Sequence, residues 1–319
     1  MQPDVSVLIV NYNGQRFLDV LLDSLAHAFV RHSSEIVVVD NASSDGSAAW
    51  LRTRADLRLV EPGWNTGFTG GCNLAARVAR GRVLLLLNND MVLNGALDEL
   101  VDAALEPGVG AVGGRLQYGD GRLQYSIGLA HTPSRIALSW LGLECWPRAP
   151  ALLRKVQTDP SVYDTAQADV DWVSGACLAT RSDVWHALQG FDDRLFMYCE
   201  DVDYGRRVRR QGLAVQYRPT PGVTHFEAGG QAWVGSSALL RTARSYFIIV
   251  SSSHGGSAAR LLSAALSLLF ALRAGAFALL GCLAAAPRRA LQFDKACGFA
   301  RAAGSMTRAC LTGVVPKLP

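Results

Sequence analysis

Residues 84–90 read LLLLNND, four leucines that stop on Asn88, Asn89 and Asp90. A continuous apolar run bounded by polar residues fits a strand covered on both faces, as in a parallel α/β sheet. Ligands of open α/β sheets bind beyond the carboxyl ends of the strands. Asp90 would then stand at the mouth of a site, although a lone strand-end aspartate is more often a turn residue or a helix N-cap. The pattern recurs, because residues 5–10 run into Asn11 and Asn13, and residues 35–39 into Asp40 and Asn41. Polar ends converging on one sheet edge suit a nucleotide. Asp40 could hold a ribose or base edge, and Asp90 a divalent cation on a diphosphate.

The elements that must position these residues are written in the periodicity. VSVLIV at 5–10 predicts a buried strand, and residues 15–29 carry helix-spaced Phe17, Leu18, Leu21, Leu22 and Leu25. EIVVVD at 35–40 and DLRLVEP at 56–62 predict two more strands. A helix entered through glycines follows at 70–81, then the strand at 82–87, a helix at 95–108 and a strand at 109–114. This βαβ rhythm predicts a parallel sheet with helices on both faces. Residues 115–168, rich in glycine turns and aromatics, interrupt it as a substrate-specific insertion on the acceptor side. Residues 169–193 predict a strand, a cap at Ser182 or Asp183 and a short helix ended by Gly190. EDVDYGRRVRRQG at 200–212 predicts a helix with an acidic first turn, stopped by Gly212. Two short strands, AVQY and GVTHF, precede an Ala/Leu-rich helical tail.

Half of the 319 residues are hydrophobic and 18% are charged, which allows a sizeable core and argues against disorder. Seven cysteines without a CxxC pair, and no secretory h-region at the start, lead us to expect free thiols in a reducing cytoplasm. Neither a GxGxxG after the first strand nor a GxxxxGK[ST] loop is present. The net charge of +4 conceals an asymmetry. From Arg241 onward ten basic residues face one acid, leaving +9 there and −5 before it. A basic tail without a nucleic-acid motif points to an anionic membrane face.

Seven segments together are specific: VSVLIVNYNG, EIVVVDNASSDGS, NTGFTGGCNLA, LLLLNNDMVL, VSGACLATRSDVW, GFDDRLFMYCEDVDYGRRVRRQG and VTHFEAGG. In order and spacing the chain resembles the family 2 glycosyltransferases, and among them the bacterial rhamnosyltransferase-like and galactofuranosyltransferase-like branch. The resemblance implies a GT-A fold, a Rossmann-like mixed and mainly parallel sheet, over residues 1–240, with 241–319 as a helical extension. It implies inverting transfer of a sugar, rhamnose as first expectation, from a dTDP- or UDP-sugar donor to a glycan or lipid-linked acceptor in cell-surface polysaccharide synthesis. Carried over by position, Asn11, Tyr12, Asn13 and Asp40 would bind the nucleoside, and Asn65, Asn73 and Asn89 would lie against the nucleotide. Asp90 and His225 would be the metal ligands, while Asp171 and Trp172 would line the acceptor and sugar pocket. The family's metal motif is often Asp-x-Asp, and here Asn88 replaces its first acid.

The chemistry asks for such groups independently. Displacing a nucleoside diphosphate builds negative charge on the leaving group, which Mg²⁺ or Mn²⁺ bound by one or two protein ligands would stabilise. The acceptor hydroxyl needs a base, for which Asp201 is the candidate, with Glu200 in a supporting contact; the helix dipole is expected to keep Asp201 ionised. Plainer readings stand beside these. Asp201 and Asp203 would then be helix-end charges, His225 a buried structural histidine, Trp172 core packing, the RRVRR run a solvated face, and Cys72, Cys177 and Cys199 small core residues. A sugar nucleotidyltransferase and a degenerate, non-catalytic nucleotide-sugar binding module are the rival functions. The first should show Arg and Lys in a glycine-rich loop after the first strand, where only Arg16 stands.

The apolar stretch 261–286 holds eleven Leu or Phe residues, roughly −3 to −7 kcal/mol toward insertion, against about 2.5–3.5 for central Arg273. Spanning is marginal. Arg260 and Arg273 lie about 220° apart on a helical projection, so no neat amphipathic face is evident. The expectation is peripheral contact through residues 257–289 at the cytoplasmic face of the inner membrane, with a homodimer contact as the alternative use of the helix.

Overall fold

The computed structural model describes residues 2–142, 150, 153–220, 222–226 and 235–315. Its central sheet is built from β1 (Val5–Asn11), β2 (Ser34–Asp40), β3 (Arg58–Val60), β4 (Val83–Asn88), β6 (Val109–Gly113), β11 (Cys177–Arg181) and β12 (Ala214–Tyr217), in the order β12-β6-β11-β4-β1-β2-β3. Every pair is parallel except those of β11, which runs antiparallel between β4 and β6. The mixed, mainly parallel expectation is met.

The apolar runs of β1 and β4 are continuous because both faces are covered. Val5, Val7 and Ile9 with Val83, Leu85 and Leu87 face one core, shared with α1 (Gln15–Leu25) and α4 (Asp98–Leu105). Leu8 and Val10 with Leu84 and Leu86 face the other, shared with α3 (Gly67–Val78), α6 (Ser182–Ala187) and α7 (Glu200–Arg210). Between α1 and α3 lies the short helix α2 (Ser47–Leu51).

Several boundaries differ from the expectation. Helix α1 stops at Leu25, its last packed residue, and the chain turns so that the Ala28 carbonyl accepts from Leu97 N at 2.7 Å. Ser182 is not a cap; Arg181 occupies that place, and Asp183 binds the Arg181 guanidinium. Of a second sheet, only the strand in GVTHF was legible. That sheet has the order β5-β13-β7-β8, from β5 (Met91–Leu93), β7 (Leu116–Tyr118), β8 (Leu123–Gln124) and β13 (Val223–His225). β9 (Ile127–Gly128) pairs with β10 (Trp172–Val173).

The chain divides into two units, Met1–Ala130, Val156–Phe196 and Glu200–Gly230 in one, and His131–Lys155, Met197–Cys199 and Gln231–Pro319 in the other. A single boundary near residue 240 is therefore too simple. Part of the expected insertion groups with the C-terminal helices because α5 (Pro133–Trp140) packs on α9 (Gly256–Leu283): the Trp140 ring meets Phe270 edge-on at 4.9 Å and Phe299 at 6.3 Å. α8 (Gly235–His254) precedes α9, and α10 (Ala286–Thr312) returns along it. The pairings Gly281 with Phe293, Ser267 with Thr307 and Arg260 with Leu311 make α9 and α10 an antiparallel hairpin along their whole length. Arg273 does not interrupt an outer face. It turns inward, donates to the Trp140 carbonyl and lies over the Trp140 and Phe299 rings at 5.6 Å.

Candidate active site

Strand order places the switch point of the sheet between β1 and β4, since the chain leads from β1 to β2 and β3 on one side and then returns to the other. The crevice at those carboxyl ends is where a ligand is expected. Asn11 and Asp40 are paired in register there. Asn11 Nδ2 lies 2.8 Å from Asp40 Oδ2 and 2.9 Å from Ser47 Oγ, and its Oδ1 accepts from Asn89 Nδ2 at 2.9 Å. Asp40 is 1% exposed and its second oxygen accepts from Ser43 N. These three residues brace the sheet edge at the place where the nucleoside is expected. Gly14 leaves room beside them: a Cβ there would lie 2.1 Å from Asn89 Nδ2 and displace that amide.

Asn65 and Asn73 are likewise engaged. Asn65 Oδ1 caps Gly67 N at 2.9 Å at the start of α3. Asn73, buried, donates to Phe191 O and Asp193 Oδ1 and accepts from Phe191 N, clamping α3 to the loop after α6. Tyr12 and Asn13 remain at the surface of the β1–α1 turn; Tyr12 is 53% exposed, and Asn13 has a left-handed φ of 53° with its Oδ1 on Ser44 N. Tyr12 offers the ring a nucleotide could meet.

Asp90 and His225 are brought together by the second sheet. β5 starts immediately after Asp90, and β13 pairs with it antiparallel so that His225 lies opposite Met91. Both side chains are buried, with His225 Nε2 3.1 Å from Asp90 Oδ1. β13 also pairs with β7, and β7 with β8, which delivers Gln124 to His225 Nδ1 at 3.0 Å. An amide oxygen only accepts, so Nδ1 carries the proton and Nε2 a lone pair. Asn88 Nδ2 at 3.1 Å donates to that lone pair. Nε2 is therefore the ring nitrogen turned toward the Asp90 oxygen, and a cation that displaced the Asn88 amide could take both as ligands. Adjacent donors about 2.1 Å from an octahedral ion sit about 3.0 Å apart, so this pair fits Mg²⁺ or Mn²⁺. No cluster of three or more His, Cys, Asp or Glu exists among the described residues; the protein would supply two donors, leaving the rest to phosphate and water. Residues 227–230, which complete the VTHFEAGG segment, lie outside the described residues, as does Cys145.

At the start of α7, Tyr198 and Cys199 hold left-handed φ values of 75° and 67°, a strained approach of the kind found at functional sites. Asp201 is half-buried; its Oδ2 accepts from Gly175 N at 3.1 Å and its Oδ1 from Val202 N at 2.8 Å. Glu200 is 6% exposed and its Oε2 has no hydrogen-bond partner among the described residues. Burial pushes both carboxyls up, Glu200 to about 8, with the Asp201 charge adding to the effect. Burial thus outweighs the dipole that was expected to hold Asp201 low. Glu200 takes the proton of the pair, because the two backbone donors favour charge on Asp201.

The neighbouring acids are committed. Asp203, 2% exposed, bridges Arg206 at 2.6 Å and Arg207 at 2.7 Å. Arg207 also donates to the Leu188 and Gly190 carbonyls, and Arg209 pairs with Asp169 and Asp171. The basic run therefore ties α7 to its surroundings and is not a solvated face. Asp171 accepts from Ala130 N as well, and Trp172 is buried with its Nε1 on Leu129 O at 3.1 Å. As placed, Asp171 and Trp172 form wall, with their polar atoms spent on protein. Cys72 and Cys177 are buried as core residues; Cys199 is half-buried.

Comparison with known proteins agrees with this architecture. The family model "Glycosyl transferase family 2" matches residues 6–165. The chain is 30% identical over 266 residues to the N-acetylglucosaminyl-diphospho-decaprenol L-rhamnosyltransferase of Mycobacterium tuberculosis, covering 78% of this chain and 85% of that protein. It is 31% identical over 241 residues to the O-antigen biosynthesis protein RfbC of Myxococcus xanthus, covering 72% of this chain and 18% of that protein. Among solved structures, the mannosyltransferase PcManGT of Pyrobaculum calidifontis with GDP-Man and Mn²⁺ superposes with a TM-score of 0.53 at 20% identity, over 98% of this chain and 88% of the other. S. aureus TarS with UDP gives 0.51 at 13% identity, over 97% and 92%. The sheet order, the matched segments and these likenesses place the chain in glycosyltransferase family 2, with the GT-A fold.

Proposed function

We propose that the protein transfers a sugar, rhamnose first among candidates, from a dTDP- or UDP-sugar to a hydroxyl of a lipid-linked glycan acceptor, with inversion at the anomeric carbon. The observation that carries the metal-dependent, inverting form of this reading is the pairing of two sites on one sheet edge. Asp90 and His225 face each other 3.1 Å apart, and Asp201 is the accessible acid of the α7 first turn, free of the arginine pairs that hold Asp203. The mycobacterial relative, whose name describes rhamnosyl transfer to a diphospho-decaprenol carrier, supports the donor and acceptor classes.

In this reading Asp90 Oδ1 and His225 Nε2 hold Mg²⁺ or Mn²⁺, which when bound offsets the charge developing on the departing nucleoside diphosphate. Gln124 holds the imidazole through Nδ1 so that Nε2 faces the Asp90 oxygen, and Asn88 would release Nε2 as the metal binds. Tyr12 lies against the nucleotide. Asp201 accepts the proton of the acceptor hydroxyl as that oxygen attacks, and the buried, protonated Glu200 keeps a second negative charge away from it. A single displacement needs one base and inverts the centre. The protein works at the cytoplasmic face of the inner membrane, in peripheral contact through residues 257–289.

A thermal-shift screen of nucleotide sugars tests the donor: dTDP-rhamnose with Mn²⁺ should raise Tm more than any other pair. NMR of the product then reads the anomeric centre. Retained configuration, or a donor shift undiminished in EDTA, counts against the inverting, metal-dependent reading.

A further inference from the structure

α9 is the helix among the described residues long and apolar enough to cross a bilayer, yet 17% of its most apolar window is buried. Five of its six strongly exposed leucines share one side, and Leu280, 50% exposed, lies off it. Leu261, Leu268, Leu272, Leu279 and Leu283 are 63–77% exposed, and at about 100° per residue they fall within about 60° of one another. They form a straight stripe about 33 Å long. The packed residues Leu262, Leu266, Phe270 and Arg273 are centred about 130° away. The helix is apolar on two faces, of which one is covered by its own unit.

Leu268 and Leu272 also line a cavity of about 250 Å³ between α5 and α9, whose other walls are Ala137, Leu141, Ala265, Leu266 and Leu269. The stripe therefore has depth as well as length. Exposed Arg288 and Arg289 follow Leu283 closely, and the unit's tail is strongly basic. An exposed aliphatic stripe flanked by cations complements a bilayer with anionic headgroups.

We infer that the leucine stripe of α9 is the membrane-docking surface, and that α9 lies in the plane of an anionic leaflet without crossing it. The inference rests on the peripheral membrane contact proposed above and assigns it a face. The hairpin decides against crossing. α10 lies along α9 throughout and carries Arg288, Arg289, Asp294, Lys295, Arg301 and Arg308, and drawing α9 through hydrocarbon would take those charges with it.

The test uses the full chain with phosphatidylcholine vesicles, with and without phosphatidylglycerol. Wild type should sediment with the anionic vesicles, less as salt rises, and be released by alkaline carbonate. The Leu268→Glu/Leu272→Glu double variant changes exposed side chains, so its circular dichroism and donor-induced thermal shift should persist while vesicle binding is lost. A variant that still sediments like wild type leaves the membrane contact standing and overturns the stripe as its surface. Wild type that stays in the supernatant at low salt overturns the membrane contact itself. Carbonate-resistant binding overturns the in-plane arrangement. A wild-type dimer that the double variant dissolves, without vesicle binding, assigns the stripe to a second copy of the chain instead.

Discussion

The Gln124 amide oxygen accepts the Nδ1 proton of His225 at 3.0 Å, and this one contact decides which imidazole nitrogen faces Asp90. Gln124→Leu should leave the fold intact but free the ring to rotate and change tautomer. The Mn²⁺ concentration for half-maximal transfer should rise about 10- to 100-fold, the usual cost of losing an outer partner of a metal-bound histidine. Asp90→Ala should abolish turnover and His225→Ala should reduce it severely. Full activity of wild type in excess EDTA would remove all three residues from this role.

Asp201→Asn keeps the shape of the side chain and its place beside Gly175 while removing basicity. Donor binding should survive, and kcat should fall about 10²-fold or more. Asp203 and Asp171, both held by arginines, are the next candidates for the base. Near wild-type kcat in this variant places the base elsewhere.

Glu200 sets a pH signature. Its carboxyl stands near 8 in the folded chain against an ordinary 4.5, because burial disfavours the charge. A folded value above the unfolded one means that the stability it contributes is complete below the unfolded value and is lost as pH climbs through the folded one. Glu200→Gln remains neutral, so its Tm should gain on wild type between about pH 4.5 and about pH 8. If wild type gains on the variant instead, Glu200 is ionised in the native state. Asp201 is raised in the same direction, so the acid limb of kcat/KM should lie above the ordinary carboxylate range.

Asn73 separates structure from ligand contact. Its amide satisfies both backbone groups of Phe191 and one oxygen of Asp193. Asn73→Ala leaves those partners unpaired and should cost about 1–3 kcal/mol of stability. The donor KM of the folded fraction should not move. A large rise in KM with an unchanged Tm would return Asn73 to the nucleotide.

The amino-acid sequence by itself determined the central layer. Apolar runs of β1, β2 and β4 fix buried strands, and helix-spaced leucines fix α1, because burial on two faces or one leaves a local pattern. It also singled out Asp90, His225, Asp201 and Glu200, through strand-end position and motif. The partners of those groups were left to the tertiary structure. Asp40, Asn11 and Asn73 read as ligand contacts from their places at strand and helix ends, and the structure gives them a bracing role as well, through partners brought across from other elements. Gln124 carries no local signal; it reaches His225 only because three short strands pair in a particular register. The tail shows the same division. Its apolarity is a sum over residues and was legible, but which leucines remain in solvent, and where Arg273 points, depend on how α5 and α10 cover one side of α9. Local patterns report burial, whereas hydrogen-bond partners and exposed faces belong to residues distant in the chain.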